Sequence, residues 1–229
     1  GVQTCALPIS LEWQDLLRVQ LRALMRASGH GQVRLLLPMI TSLDEVQAVH
    51  RVFEETRAQL LEQGYAVSDN IPVGVMIEVP STLWILDDLF SEVDFISVGT
   101  NDLVQYLLAV DRDNVLVAGL YDPQHPAVVR ALRAIAEAAR RAGKSAAVCG
   151  EIASDEAMAV LLAGMGYDAL SVNPTALPRL KFALSTATRE EAEAAVEAVL
   201  AARSADEVRA VLDGLRERLD ETLLLEGRG

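Results

Sequence analysis

Residues 95–108 read FISVGTNDLVQYLL. The opening run is short, apolar and rich in residues that favour strands, so residues 95–98 read as a strand. A glycine and two polar positions follow, and residues 102–108 return to helical spacing. One strand passing directly into one helix is the repeating unit of an α/β protein.

The same unit recurs on both sides. Upstream, 73–77 is a strand and 81–90 a helix. Before that, 33–37 is a short apolar run between Gly31 and Pro38, and reads as a buried strand. Ser42 with Glu45 forms a capping box that opens a long helix to about Gln63, stopped by Gly64. Leu16, Leu17, Leu21, Leu24 and Met25 place a helix over 13–28. Downstream lie a loop (110–124), a helix (126–142), a strand (145–148), a helix (155–164), a strand (169–172) and a helix (176–184). Two amphipathic helices close the chain, at 189–202 and 205–223, the second capped by Ser204 with Glu207. The fold class is therefore α/β, with five βα units, strands buried on both faces and a parallel sheet. An open doubly wound sheet and a barrel both fit this pattern. Five units fall short of the eight that close a (β/α)8 barrel.

Composition narrows the function. The chain has 229 residues, 51% apolar and 4% aromatic, with a net charge of -13. So acidic a chain lacks the basic face that phosphate neutralisation needs, and no nucleic-acid partner is expected. No apolar run approaches the roughly 20 residues of a membrane span, and no signal peptide opens the chain, so a soluble cytoplasmic protein without membrane insertion is expected. Cys5 and Cys149 lie far apart and outside any C-x-x-C pair, which argues against a zinc site or a disulfide framework. Residues 1–9, GVQTCALPI, carry neither helical nor strand period. They resemble a translated sequencing adapter, and we expect a non-native segment joined to the genuine frame (10–229) near Ser10.

The polar residues that interrupt this pattern cluster at strand ends. Glu78 follows VGVMI, Asn101 and Asp102 follow FISVGT, Cys149, Gly150 and Glu151 follow SAAV, and Asn173 follows LSV. In parallel α/β folds that edge collects ligands and catalytic groups. Glu78 and Asp102 suit a Mg2+ ion whose remaining positions go to water and substrate. The Arg112 fork suits a carboxylate or phosphate. The Cys149 thiol suits acid–base work, and Gly150 lets backbone and ligand approach closely. Each residue also has a plainer reading. Cys149 fits a small core residue, Glu78 a solvated loop carboxylate, Asn101-Asp102 a helix N-cap, and Arg112 a surface ion pair with its aspartate neighbours. His30, His50 and His125 read as residues of a helix end, face and start.

Seven segments together carry a resemblance: LLLPMI (35–40), GVMIEVP (74–80), SVGTNDLVQYLLAVDRDN (97–114), LYDPQHPAV (120–128), VCGEIASD (148–155), GMGYDALSVNP (164–174) and LPRLK (177–181). In this order and spacing they resemble the C-terminal domain of the phosphoenolpyruvate–protein phosphotransferases, the enzyme I family of the bacterial phosphotransferase system. The SVNPTALPRLK wording is closer to the nitrogen-related branch than to the sugar branch. Pyruvate phosphate dikinase and phosphoenolpyruvate synthase share the GTNDL and CGE motifs. The resemblance implies a (β/α)8 barrel, of which this chain carries the last five βα units, that dimerises and binds Mg2+ and phosphoenolpyruvate. It implies Glu78 and Asp102 as metal ligands. Asn101 and Arg112 would hold the phosphate and carboxylate ends of the substrate. Cys149 would deliver a proton to the enolate carbon, giving pyruvate, and Met39, Gly99, Thr100 and Gly150 would line the pocket. An HPr-like carrier protein would be the partner through other domains. Three earlier strands with phosphate-binding arginines, and the phosphohistidine domain, have no counterpart in this sequence, so an inactive fragment is expected. Ser154 stands where the family usually has Gly. A PEP-utilising enzyme of the pyruvate phosphate dikinase or phosphoenolpyruvate synthase type, an aldolase or lyase of the pyruvate-forming barrel type, and a non-catalytic dimerisation or regulatory module are the competing expectations.

Overall fold

A computed structural model describes the backbone of residues 14–226 and the side chains of residues 14–222. Residues 1–9, with Cys5, lie outside the described residues. The chain divides into two compact units, with the boundary between Ser97 and Val98.

The first unit begins with α1 (Gln14–Ser28), β1 (Leu35–Leu37) and α2 (Leu43–Glu62). Leu17, Leu21 and Met25 repeat every four residues and are buried, which makes one apolar stripe on α1. The capping box forms as expected: the Glu45 carboxylate accepts from the backbone N–H groups of Thr41 (2.7 Å) and Ser42 (3.2 Å). Gly64 ends the α2 region with a φ of +79°, which favours glycine. β2 (Val73–Ile77) pairs in parallel with β1, Leu36 against Gly74.

The helix expected over 81–90 is broken in two. A 3-10 turn spans Pro80–Trp84 and α3 spans Leu86–Glu92. The interruption falls at Ile85, which leaves helical geometry with φ -127° and ψ 21°. Its N–H bonds back to Thr82 in the i→i+3 pattern at 3.1 Å, the tighter winding that a proline-initiated turn favours. β3 (Phe95–Gly99) follows. Asp94, at its entry, exchanges two bonds of 2.8 Å with the backbone of Val73, one through its N–H and one through its carboxylate. The Phe95 ring lies where a side chain on Gly74 would sit, 2.6 Å from that Cβ position, so position 74 has room for glycine alone.

The second unit holds α4 (Thr100–Leu107), α5 (Pro126–Ala142), β4 (Ser145–Cys149), α6 (Glu156–Met165), β5 (Ala169–Ser171), α7 (Leu177–Thr186), α8 (Arg189–Ala201) and α9 (Ala205–Glu226). Short 3-10 turns at Ala118–Leu120 and Glu151–Ser154 shape the loops that follow α4 and β4. Asp168 repeats the device of Asp94: its N–H and carboxylate bond the backbone of Ala146 at 2.9 and 2.8 Å. Asp155 caps α6 by accepting from the Met158 N–H at 2.9 Å, and Arg216 of α9 holds its second oxygen at 2.8 Å. The buried Tyr167 hydroxyl donates to the Leu132 carbonyl at 2.8 Å.

The five strands follow the order β1-β2-β3-β4-β5, and β4 pairs with β5 in parallel. The expectation of strands buried on both faces holds for β3, where all five residues are buried. It fails for β5, whose first and third residues are exposed, and for β1, where only Leu37 is buried. Both are end strands in the sheet order, with a neighbour on one side among the described residues, and both are three residues long. No described helix is long and apolar enough to cross a membrane.

Candidate functional site

In the first unit, β1 and β2 each deliver one expected residue just beyond their C-terminal ends. Met39 follows Pro38 with a φ of +56°, an unusual conformation for a residue with a side chain. That turn aims its N–H at Glu78, whose Oε1 accepts at 2.7 Å. Glu78 is only 3% exposed, so the reading as a solvated loop carboxylate is wrong. A buried carboxylate is costly unless its oxygens are engaged, and here a backbone donor is built to meet one of them. One hydrogen bond thus joins Met39 and Glu78.

In the second unit, α4 starts two residues earlier than expected. Gly99 is its N-cap, which places Asn101 and Asp102 inside the first turn and removes their plain reading as an N-cap. Asp102 then sits where the positive end of the helix favours a carboxylate. Asn101 Oδ1 accepts from the Glu151 N–H at 3.0 Å. Thr100, fully buried, donates from Oγ1 to the Cys149 carbonyl at 2.8 Å. The Cys149 thiol, half-buried rather than in the core, approaches the Val98 carbonyl at 3.3 Å. Gly150 has a φ of +108°; a Cβ there would collide with Thr100 Oγ1 and lie 2.9 Å from Asn101 Oδ1. Asn101, Cys149 and Gly150 are therefore one assembly, joined to one another through Thr100 and Glu151.

Arg112 is exposed on the loop beyond α4, its backbone N–H held by Gln105 Oε1 at 3.2 Å. Among the described residues, no ion pair with Asp111 or Asp113 occupies its guanidinium. Instead it borders a cavity of about 440 Å3 with Asn101, Asp113, Ala118, Tyr121 and Glu151. Tyr121 and Glu151 were not assigned a role from the sequence. The signal was present, since Tyr121 sits in LYDPQHPAV and Glu151 in VCGEIASD, but no spacing rule separates a lining residue from its neighbours. Burial pushes the Tyr121 hydroxyl above the ordinary phenol range; the Glu151 carboxylate adds to this, Arg112 opposes it, and Asp102 adds again. The cavity thus mixes a neutral phenol donor, a guanidinium, an amide and carboxylates, a set of polar groups suited to a small polar ligand.

Asn173, the fourth strand-end residue, is spent on its own loop, its Oδ1 accepting from Thr175 N (3.2 Å) and Oγ1 (3.0 Å). Ser154 accepts from the Asn173 N–H at 3.4 Å, a weak tie that glycine would lack. Among the described residues no three His, Cys, Asp or Glu side chains gather as a metal-binding group.

The chain is similar to proteins of known activity. The phosphoenolpyruvate-protein phosphotransferase of Bacillus subtilis is 41% identical over 203 residues, covering 89% of this chain and 36% of the relative. That of Haemophilus influenzae is 38% identical over 221 residues, covering 96% of this chain and 37% of the relative. The Salmonella typhimurium protein named phosphoenolpyruvate-dependent phosphotransferase system is 41% identical, covering 96% of this chain and 29% of the relative. The chain thus spans about a third of the length of the curated relatives it matches. Among solved structures, a citrate lyase from Burkholderia xenovorans superposes with a TM-score of 0.55 at 22% identity, over 90% of this chain and 68% of that one. That likeness concerns the fold alone. Residues 2–189 match the family model described as the PEP-binding domain of PEP-utilising enzymes, and the chain belongs to that family.

Proposed function

We propose that this chain is the phosphoenolpyruvate-binding part of a phosphoenolpyruvate–protein phosphotransferase, and that the cavity beside Asn101, Arg112 and Glu151 receives the substrate. The observation that supports this most directly is the guanidinium of Arg112 on the wall of that cavity, without a carboxylate partner of its own among the described residues. A planar fork in that state suits the carboxylate or phosphate end of phosphoenolpyruvate. Asn101 holds the other end of the substrate, and Glu78 and Asp102 are the residues for Mg2+. Bound there, Mg2+ would offset charge on the phosphoryl and enolate oxygens.

The chain's own residues account for the remaining chemistry. Phosphoryl transfer breaks the bond between the enol oxygen and phosphorus and leaves the enolate of pyruvate. The Cys149 thiol supplies the proton that the enolate carbon needs, becoming a thiolate that later regains a proton from solvent. The phosphoryl group passes to a histidine and then to an HPr-like carrier protein, both outside this chain. The same reading carries a homodimer, a cytoplasmic location and a role in the phosphotransferase system of either branch.

Calorimetric titration of the chain with phosphoenolpyruvate and Mg2+ tests the proposal. Binding is expected in the parent and in Cys149→Ala, and is expected to be lost in Glu78→Gln and on adding excess chelator. Absence of binding by a parent shown to be folded would overturn the reading for this chain, and full binding by Glu78→Gln would overturn the metal assignment. Detectable aldol cleavage would instead move the chain toward the lyases.

A further inference from the structure

The end of β3 and the first turn of α4 meet the end of β4 and the turn after it through three hydrogen bonds. Val98 offers its carbonyl to the Cys149 thiol, 3.3 Å away. Thr100 donates its hydroxyl to the Cys149 carbonyl at 2.8 Å. Asn101 Oδ1 takes the Glu151 N–H at 3.0 Å. Between them, Gly150 turns with a φ of +108°, and the space its missing side chain leaves is filled by Thr100 Oγ1 and Asn101 Oδ1.

We propose that Thr100 is the positioning residue for the Cys149 thiol, holding it against the Val98 carbonyl through the backbone of Cys149; this rests on the reading of Cys149 as the proton donor. A cysteine has one rotatable bond between backbone and sulfur, so fixing the Cys149 peptide fixes the few places its sulfur can occupy. Thr100 is completely buried, and its one hydroxyl proton is committed to the Cys149 carbonyl. Its β-branched side chain is restricted at χ1, which limits the directions the hydroxyl can take. The bulk of Thr100 excludes any side chain at position 150, so the positive φ of Gly150 and the hydroxyl of Thr100 require each other. Asn101 adds a second hold two residues beyond the sulfur. The result is a thiol presented from a fixed strand tip.

The test reads the thiol itself and needs no substrate. Iodoacetamide alkylation of Cys149, followed residue by residue with peptide mass spectrometry at one fixed pH, is compared in the parent, Thr100→Val and Thr100→Ser. Val keeps the shape and removes the hydroxyl; Ser keeps the hydroxyl. Losing one buried hydrogen bond is expected to speed alkylation about fivefold in Thr100→Val, with Thr100→Ser within about twofold of the parent. Should Thr100→Val lack the parent's circular dichroism, Thr100→Ala asks the same question. A Leu21→Ala variant, destabilised on the buried stripe of α1, is expected to leave the rate near that of the parent. Equal rates in Val and parent would overturn the proposal, as would equal acceleration in Val and Ser, because bulk and not the hydroxyl would then be responsible. Failure to bind phosphoenolpyruvate sinks the functional reading and leaves these rates standing. Unchanged alkylation in a chain that binds phosphoenolpyruvate sinks the positioning role alone.

Discussion

Glu78 and Arg112 were both expected to meet the substrate, yet the molecule builds them in opposite ways. Glu78 is 3% exposed at the tip of a buried strand, and the backbone of Met39 is bent into a rare conformation to reach it. Arg112 stands on an exposed loop beside Val115 and Leu116, which are 93% and 94% exposed. The strand tips Glu78 and Cys149 are tied into main-chain hydrogen bonds; the Arg112 guanidinium is not. Function at a tip is therefore mixed with stability, whereas function on the loop is separable from it. Substitutions at the two kinds of position should divide along that line.

The largest effect is expected at Gly150. An alanine there must adopt a φ near +108° and place its Cβ against Thr100 Oγ1 and Asn101 Oδ1. Backbone strain and overpacking add, and a loss of about 3 kcal/mol is expected. Chemical denaturation of Gly150→Ala measures it. A midpoint equal to the parent's would show that the β4 tip yields freely, and would break the contrast between tip and loop.

Glu78→Ala comes next. Truncation strands the Met39 N–H in a buried place, and a cost of about 2 kcal/mol is expected from that orphaned donor. Glu78→Gln keeps an acceptor for the Met39 N–H and is expected to recover most of the stability without recovering any Mg2+-dependent binding. The pair separates the structural duty of the carboxylate from its proposed chemical one. Equal denaturation midpoints for Ala and Gln would show that the Met39 contact contributes nothing.

The sequence already carried the parts of this contrast that depend on period and residue type. Strand tips were visible because apolar runs end abruptly at Glu78, Asn101 and Cys149, and the capping boxes at Ser42 and Ser204 announced their helices. Burial at the tips was not visible, because it depends on contacts distant in sequence. Nothing near Glu78 says that Met39, 39 residues away, would turn its N–H inward. The same limit explains β5. Asp168 pins it as Asp94 pins β3, through the same pair of backbone contacts, yet one strand is exposed at both ends and the other is wholly buried. Local sequence sets the device, and neighbouring strands set the burial. The break at Ile85 escaped for another reason: apolar residues run through it, and hydrophobic period does not distinguish a 3-10 turn from an α-turn over four or five residues.

Arg112→Ala should show the smallest change in stability and the clearest change in binding. The guanidinium has no ion-pair partner among the described residues, and the backbone N–H that Gln105 holds survives the substitution. Stability is expected to stay within about 0.5 kcal/mol of the parent. Phosphoenolpyruvate affinity is expected to fall roughly tenfold or more, the scale of a lost charge-assisted hydrogen bond. Arg112→Lys keeps the charge but not the fork, so it should fall between parent and Ala if geometry matters, and match the parent if charge alone does. Calorimetry alongside denaturation reads both axes on the same samples. A large loss of stability in Arg112→Ala would mean that the loop carries structure after all. Unchanged affinity would remove Arg112 from the substrate's contacts and leave Asn101 and the two carboxylates as the polar residues proposed to meet it.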